Sequence, residues 1–130
     1  MNTKLLMTAS AIALFAAGII LIFLPEEVLI YFDLAITKPL QLLTQILGAL
    51  YFGFGMLNWM SKASIIGGIY NKPVVAANLA HFMIAALALI KGILSNAGLS
   101  VLILIITLIY TVFAISFVIL FFRHPASKNL

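Results

Sequence analysis

The sequence predicts an all-α integral membrane protein, a four-helix bundle with a short interfacial helix between its first and second spans. Three observations lead there. Hydrophobic residues make up 65% of the 130 residues and charged residues only 8%, more apolar than a soluble domain of this size tolerates. Four apolar runs are long enough, at about 1.5 Å per residue, to cross roughly 30 Å of hydrocarbon. The seven Lys and Arg residues sit at the ends of those runs, where they reach headgroups and water. At this length the chain reads as one domain, residues 1–130.

The first span, 4–24, starts at Lys4 and is closed by Pro25. It is longer than a secretory signal core and runs into "FLPEE" without a small-x-small cleavage pattern, so it is expected to remain as a helix. Its small residues Ala9, Ser10, Ala13, Ala16 and Ala17 favour tight packing against a neighbouring helix. The linker "EEVLIYFDLAIT" (26–37) places Glu26 and Asp33 on one side of a helical wheel. Val28, Leu29, Phe32, Ala35 and Ile36 cover the other side, a pattern that suits a helix lying in the interface plane.

The second span, 40–60, follows Pro39, and the third, 73–95, opens at Pro73. Proline suits a first helical turn because its missing N–H has no intrahelical partner there. Between them "SKASIIGGIYNK" (61–72) forms a loop in which Gly67-Gly68 allows a tight bend. The turn "SNAGLS" (95–100) makes an antiparallel hairpin of the third span and the fourth, 99–122, after which Pro125 follows.

The formal net charge of +4 has a membrane explanation, so no nucleic-acid partner is expected. Lys4, Lys62, Lys72, Arg123 and Lys128 fall on one side of the membrane. Lys38 and Lys91 fall on the other, with all three acids. The positive-inside bias then makes both termini cytoplasmic. Cysteine is absent, which removes disulfides, thiol redox chemistry and sulfur-ligated metals.

Helical periodicity sorts each span into two faces. In lipid the polar and small face turns toward protein and the larger apolar face meets acyl chains. On the second span Gln41, Thr44, Gln45, Gly48, Tyr51, Phe52, Gly55, Asn58 and Trp59 oppose Leu42, Leu43, Ile46, Leu47, Leu50, Phe54 and Leu57. On the third, Asn78, His81, Ala85, Ala88 and Gly92 oppose Leu79, Met83, Leu87 and Ile90. On the fourth the inward stripe is Ser100, Thr107, Tyr110, Thr111 and Ala114. Trp59 and Tyr70 fall at interface depth.

Two polar groups result. Tyr51, Asn58, Asn78, His81, Tyr110 and Thr111 are expected in the cytoplasmic half, with His81 roughly 12 Å and Tyr51 roughly 14 Å in. Gln41, Gln45 and Lys91 belong to the outer half, near Glu26, Glu27 and Asp33. Lys91 there either pairs with the acidic linker or snorkels to solvent. The inner cluster serves either as interhelical glue that sets register or as a small cavity or relay.

Catalysis has little support: one intramembrane histidine and no intramembrane carboxylate make no acid–base pair or two-histidine metal site within a protomer. No catalytic residue, metal or cofactor is expected; only two His81 side chains meeting in a dimer could ligate haem. The expectation is a non-enzymatic protein binding an apolar or amphipathic ligand or a membrane partner through the inward polar faces of spans two to four. The alternative is an oligomeric small channel or transporter, which needs a polar stripe from surface to surface; Phe52, Leu89 and Val118 interrupt it. The partners in view are the lipid bilayer, a small apolar ligand, a membrane protein or a second copy of the chain.

Across residues 45–91 ("QILGALYFGFGMLNWM", "GGIY", "NLAHF") the chain resembles small uncharacterised four-helix membrane proteins of bacterial genomes. The resemblance implies a bacterial inner membrane and carries no catalytic or binding residue with it.

Overall fold

The structure, a computed structural model, describes residues 2–63, 71–96 and 98–123. Among them are five helices and no strand: α1 (Thr3–Phe23), α2 (Pro25–Tyr31), α3 (Lys38–Ser61), α4 (Lys72–Ser95) and α5 (Val101–Phe122). All but α2 are long and apolar enough to cross a membrane. The expected Gly67-Gly68 bend, Tyr70 and Pro125 lie outside the described residues. The chain forms two compact units, Met1–Lys62 and Ala63–Leu130.

The helix boundaries follow local chemistry. Asn2 caps α1, its side chain accepting from the Leu5 N–H at 3.2 Å. Thr37 caps α3 in the same way, accepting from the Leu40 N–H at 3.4 Å. Each cap satisfies one of the amide donors that a helix start leaves orphaned. Pro25, Pro39 and Pro73 all occupy first-turn positions. Pro25 also ends α1, since the residue before a proline is pushed out of the α region. Leu24 accordingly has φ −124° and ψ 44°.

In the first unit α1 and α3 are antiparallel and in close register. Ser10 meets Asn58, Phe15 meets Phe52 and Gly55, Gly18 meets Gly48, and Ile22 meets Gln45. The two backbones touch at Gly18 and Gly48. A Cβ on Gly18 would lie 2.9 Å from the Gly48 carbonyl oxygen, and one on Gly48 would lie 2.9 Å from that of Gly18. Gly55 receives the Phe15 ring.

The packed face of α1 is Leu6, Met7, Ser10, Ala11, Leu14 and Gly18. That corrects the small-residue stripe expected from sequence: Ala9 and Ala16 are exposed, and Ala13 and Ala17 are only half-buried. The crossing is set by the residue with no side chain at all, Gly18, and the buried face rotates to follow it. On α3 the expected division holds better: Gly48, Gly55 and Asn58 are buried, while Leu42, Leu43, Ile46, Leu47, Leu50 and Leu57 are exposed.

The linker is helical only in its first half. α2 ends in a Schellman motif: the Asp33 N–H donates to the Ile30 carbonyl at 3.1 Å and the Leu34 N–H to the Leu29 carbonyl at 2.9 Å. Asp33 holds the left-handed position, φ 53°, that glycine more often fills. The chain runs non-helically from 34 to 37, so Leu29 is buried while Ala35 and Ile36 are exposed, unlike the expected longer wheel.

In the second unit α4 and α5 form the expected hairpin. Its core is aromatic: the ring of Phe82, 1% exposed, lies 5.3 Å from Tyr110, 4.8 Å from Phe113 and 5.5 Å from Phe117, centroid to centroid. Such pairs add about 0.5–1.5 kcal/mol each beyond the area they bury. The buried stripe of α4 is therefore Val75, Asn78, Phe82 and Ala86. It is turned by about one residue from the expected one, leaving Ala88 exposed and His81 at the edge. In the turn, the Asn96 side chain accepts from the Gly98 N–H at 3.0 Å.

The glycines should rank by what surrounds them. Gly18→Ala meets backbone and is expected to destabilise the solubilised protein by about 1–3 kcal/mol. Gly55→Ala meets a ring that can shift and should cost less. Gly53→Ala meets nothing within 4 Å and should be neutral or stabilising by up to about 1 kcal/mol. Thermal unfolding in detergent gives the order; equal losses at Gly18 and Gly53 would refute it.

Candidate functional site: polar groups within the spans

A polar side chain in hydrocarbon needs a partner, and the spans satisfy theirs in three ways. Most bond within their own helix. Thr8, Thr44, Ser95, Thr107, Thr111 and Ser116 each donate a hydroxyl to the carbonyl four residues back, at 2.7–2.9 Å. Asn78 does the same through its amide, to the Val74 carbonyl at 2.9 Å. Helical geometry offers this acceptor to any Ser or Thr.

Other side chains bond across α1 and α3. Asn58 Nδ2 donates to Ser10 Oγ at 3.0 Å, both residues buried, and Ser10 Oγ donates in turn to the Met7 carbonyl at 3.1 Å. Gln45 Nε2 donates to the Ile22 carbonyl at 3.2 Å. Ser10 thus enters the polar interior, although sequence reasoning placed it only among small packing residues.

The third arrangement joins two ionisable side chains of α4 and α5. Tyr110 Oη and His81 Nε2 lie 3.5 Å apart, at the outer limit of a hydrogen bond, and the donor depends on which ring nitrogen carries the proton. Their ring centroids are 5.6 Å apart, and His81 also meets the Phe82 ring edge-on at 5.0 Å. A polar contact is thereby seated against an aromatic cluster whose other members are Phe113 and Phe117.

Within the second unit, His81 and Tyr110 of the six cluster residues expected from sequence meet. Thr111 turns its hydroxyl to its own helix, Asn78 bonds to Val74, Asn58 bonds to Ser10, and Tyr51 is half-buried on α3. Phe82, the centre of the aromatic cluster, was not singled out; its apolar side chain carries no signal on a face sorted by polarity. In the outer group, Gln41 and Gln45 are half-buried on α3, and Glu26 and Glu27 are exposed in the first turn of α2. Asp33 is exposed, and Lys91 is exposed about one turn before the end of α4. Ser100, expected on the inward stripe of α5, is its N-cap, with a buried hydroxyl that finds no partner among the described residues.

An open, apolar groove of about 480 Å³ runs along α3, lined by Ile46, Ala49, Leu50, Gly53, Phe54 and Leu57. Among the described residues no three His, Asp or Glu side chains gather as metal ligands would. No known protein family, curated protein or solved structure matches this chain, so the resemblance seen over residues 45–91 gains no support.

The Ser10–Asn58 pair should be measurable. Ser10→Ala removes the acceptor of a buried amide and is expected to cost about 1 kcal/mol in lipid or detergent. Thr8→Ala removes a hydroxyl already bonded to its own helix and should change stability by less than about 0.5 kcal/mol. Equilibrium unfolding of both variants separates the two modes, and equal effects would show that Ser10 does not hold α3.

Proposed function

We propose that this multi-pass membrane protein is not an enzyme and binds a small amphipathic ligand at the inward polar faces of its spans, with the His81–Tyr110 contact as the centre of recognition. The observation that carries this reading is the placement of that contact beside Phe82, Phe113 and Phe117. Aromatic faces suit the apolar body of a ligand. Imidazole and phenol each both donate and accept, so they suit a carbonyl or hydroxyl head. At 3.5 Å their mutual bond is weak, and a ligand oxygen can exchange into it at little cost.

A channel is less well supported. The buried stripes of α4 and α5 include Phe82, Phe117 and Leu120, apolar closures where a continuous polar path is needed. The membrane we propose is the bacterial inner membrane, with both termini cytoplasmic. The orientation is supported by the five-to-two division of basic residues and the three acids opposite.

Two experiments test these readings. Purification in mild detergent followed by mass spectrometry should find a small molecule retained by the wild type and by His81→Gln, which keeps one hydrogen-bonding group. Its occupancy should fall about fivefold in His81→Phe and in Tyr110→Phe, the equivalent of one hydrogen bond. Equal retention by all four proteins would remove His81 and Tyr110 from the site. Because the chain has no cysteine, single-cysteine variants report orientation cleanly. Ala63→Cys should resist impermeant thiol reagents in intact cells and Asn96→Cys should react; the opposite pattern would invert the topology.

A further inference from the structure

In the first unit, the end where α1 begins and α3 stops holds two cations and a tryptophan. Lys4 lies in the first turn of α1, and Lys62 caps α3. The hydrogen bond from Asn58 to Ser10 ties the two helices together near this end. At about 1.5 Å per residue, Lys4 and Lys62 each lie within about 10 Å of that bond along their helices, so the cations sit at similar depth. Lys4 is exposed; Lys62 is half-buried, its Nζ 2.9 Å from the centroid of the Trp59 ring. From Trp59 an apolar strip leads into the span. Phe52, Met56 and Trp59 are 39%, 43% and 43% exposed, and their spacing puts them on one face of α3.

The acids of this unit stand at its far end. Glu26 and Glu27 follow α1, a helix about 30 Å long, and Asp33 lies just before α3, which is longer still. Residues 63–130 contain no Asp or Glu. No acidic side chain of the protein therefore neutralises Lys4 or Lys62.

We propose that this end binds an anionic phospholipid, its phosphodiester held by Lys4 and Lys62 and an acyl chain lying along Trp59, Met56 and Phe52. Charge complementarity selects the occupant. At a bilayer surface the anions at hand are lipid headgroups, and each adjacent cation adds attraction for them. The Trp59 ring holds the Lys62 ammonium in place, so less side-chain freedom is lost when a phosphate arrives. A zwitterionic lipid brings its own ammonium toward the two lysines and is disfavoured. Free phosphate satisfies the cations and leaves the apolar strip uncovered. Lys38, at the acidic end of α3, serves as the internal comparison.

Trp59 is the one tryptophan of the chain, so its fluorescence reports this end alone. The full chain is reconstituted in vesicles with equal amounts of phosphatidylglycerol and phosphatidylcholine, one or the other carrying bromine on its acyl chains. Bromine quenches an indole that it touches, and the ratio of the two quenching constants measures the preference for the anionic lipid beside Trp59. The wild type should prefer phosphatidylglycerol. Lys4→Gln and Lys62→Gln should each lower that preference about fivefold, the loss of one cation. Lys62→Arg should retain it and Lys38→Gln should leave it unchanged, with circular dichroism confirming equal helicity throughout. Equal quenching by the two lipids in the wild type, an unaltered preference in either glutamine variant at this end, or an equal fall in Lys38→Gln would overturn the proposal. Displacement of the lipid by excess inorganic phosphate would also overturn it, because the apolar strip would then contribute nothing.

Discussion

Helices in hydrocarbon gain little from hiding apolar surface, since lipid is as apolar as leucine, so what holds them together is close contact and hydrogen bonding. In the first unit that contact is the backbone-to-backbone approach of Gly18 and Gly48. The other α1–α3 contacts are consistent with it. The Phe15 ring lies against Gly55, Gln45 reaches the Ile22 carbonyl, and Asn58 reaches Ser10, all in one antiparallel register. A side chain at the crossing would push the helices apart and lengthen each of these contacts beyond use. The second unit has no such glycine crossing among its described contacts and relies on ring packing around Phe82.

The helices were legible because their signals are local. Apolar length marks the spans, prolines mark their starts, and the lipid-facing leucines of α3 stand apart from its glycines and amides by simple periodicity. The faces of α1 and α4 were less legible. Small residues mark close packing only when their partner is small at the same level, and sequence does not show levels across two helices. Ala9 and Ala16 therefore misled where Gly18 mattered. On α4, polarity drew attention to the His81 stripe, whereas the larger gain is the burial of Phe82 one residue further round. The length of α2 was hidden for another reason: Asp33 ends it in a left-handed conformation that aspartate adopts only occasionally.

The polar residues carry a related lesson. A threonine in a membrane span resembles a group in search of a partner, but its own helix supplies one four residues back, as Thr107 and Thr111 show. Amides and rings have more donors and acceptors than one carbonyl can serve. Asn58, Gln45, His81 and Tyr110 accordingly reach across to another helix, with Ser10 as an acceptor. Sequence named all four, and Tyr110 among the hydroxyls within reach of His81, but not Ser10 as the partner of Asn58.

Leu24 is both the last cap of α1 and the first cap of α2: its N–H donates to the Ile20 carbonyl, and its carbonyl accepts from the Val28 N–H. One residue's dihedral angles therefore set the angle between a helix that spans and a helix too short to span. With Pro25 fixing the next φ, the joint has little freedom. A spanning helix tilts to match its hydrocarbon length to the thickness of the bilayer around it. Any such tilt of α1 is transmitted through Leu24, raising or lowering the acidic end of α2 at the surface, so bilayer thickness is geometrically coupled to how deeply Glu26 and Glu27 sit.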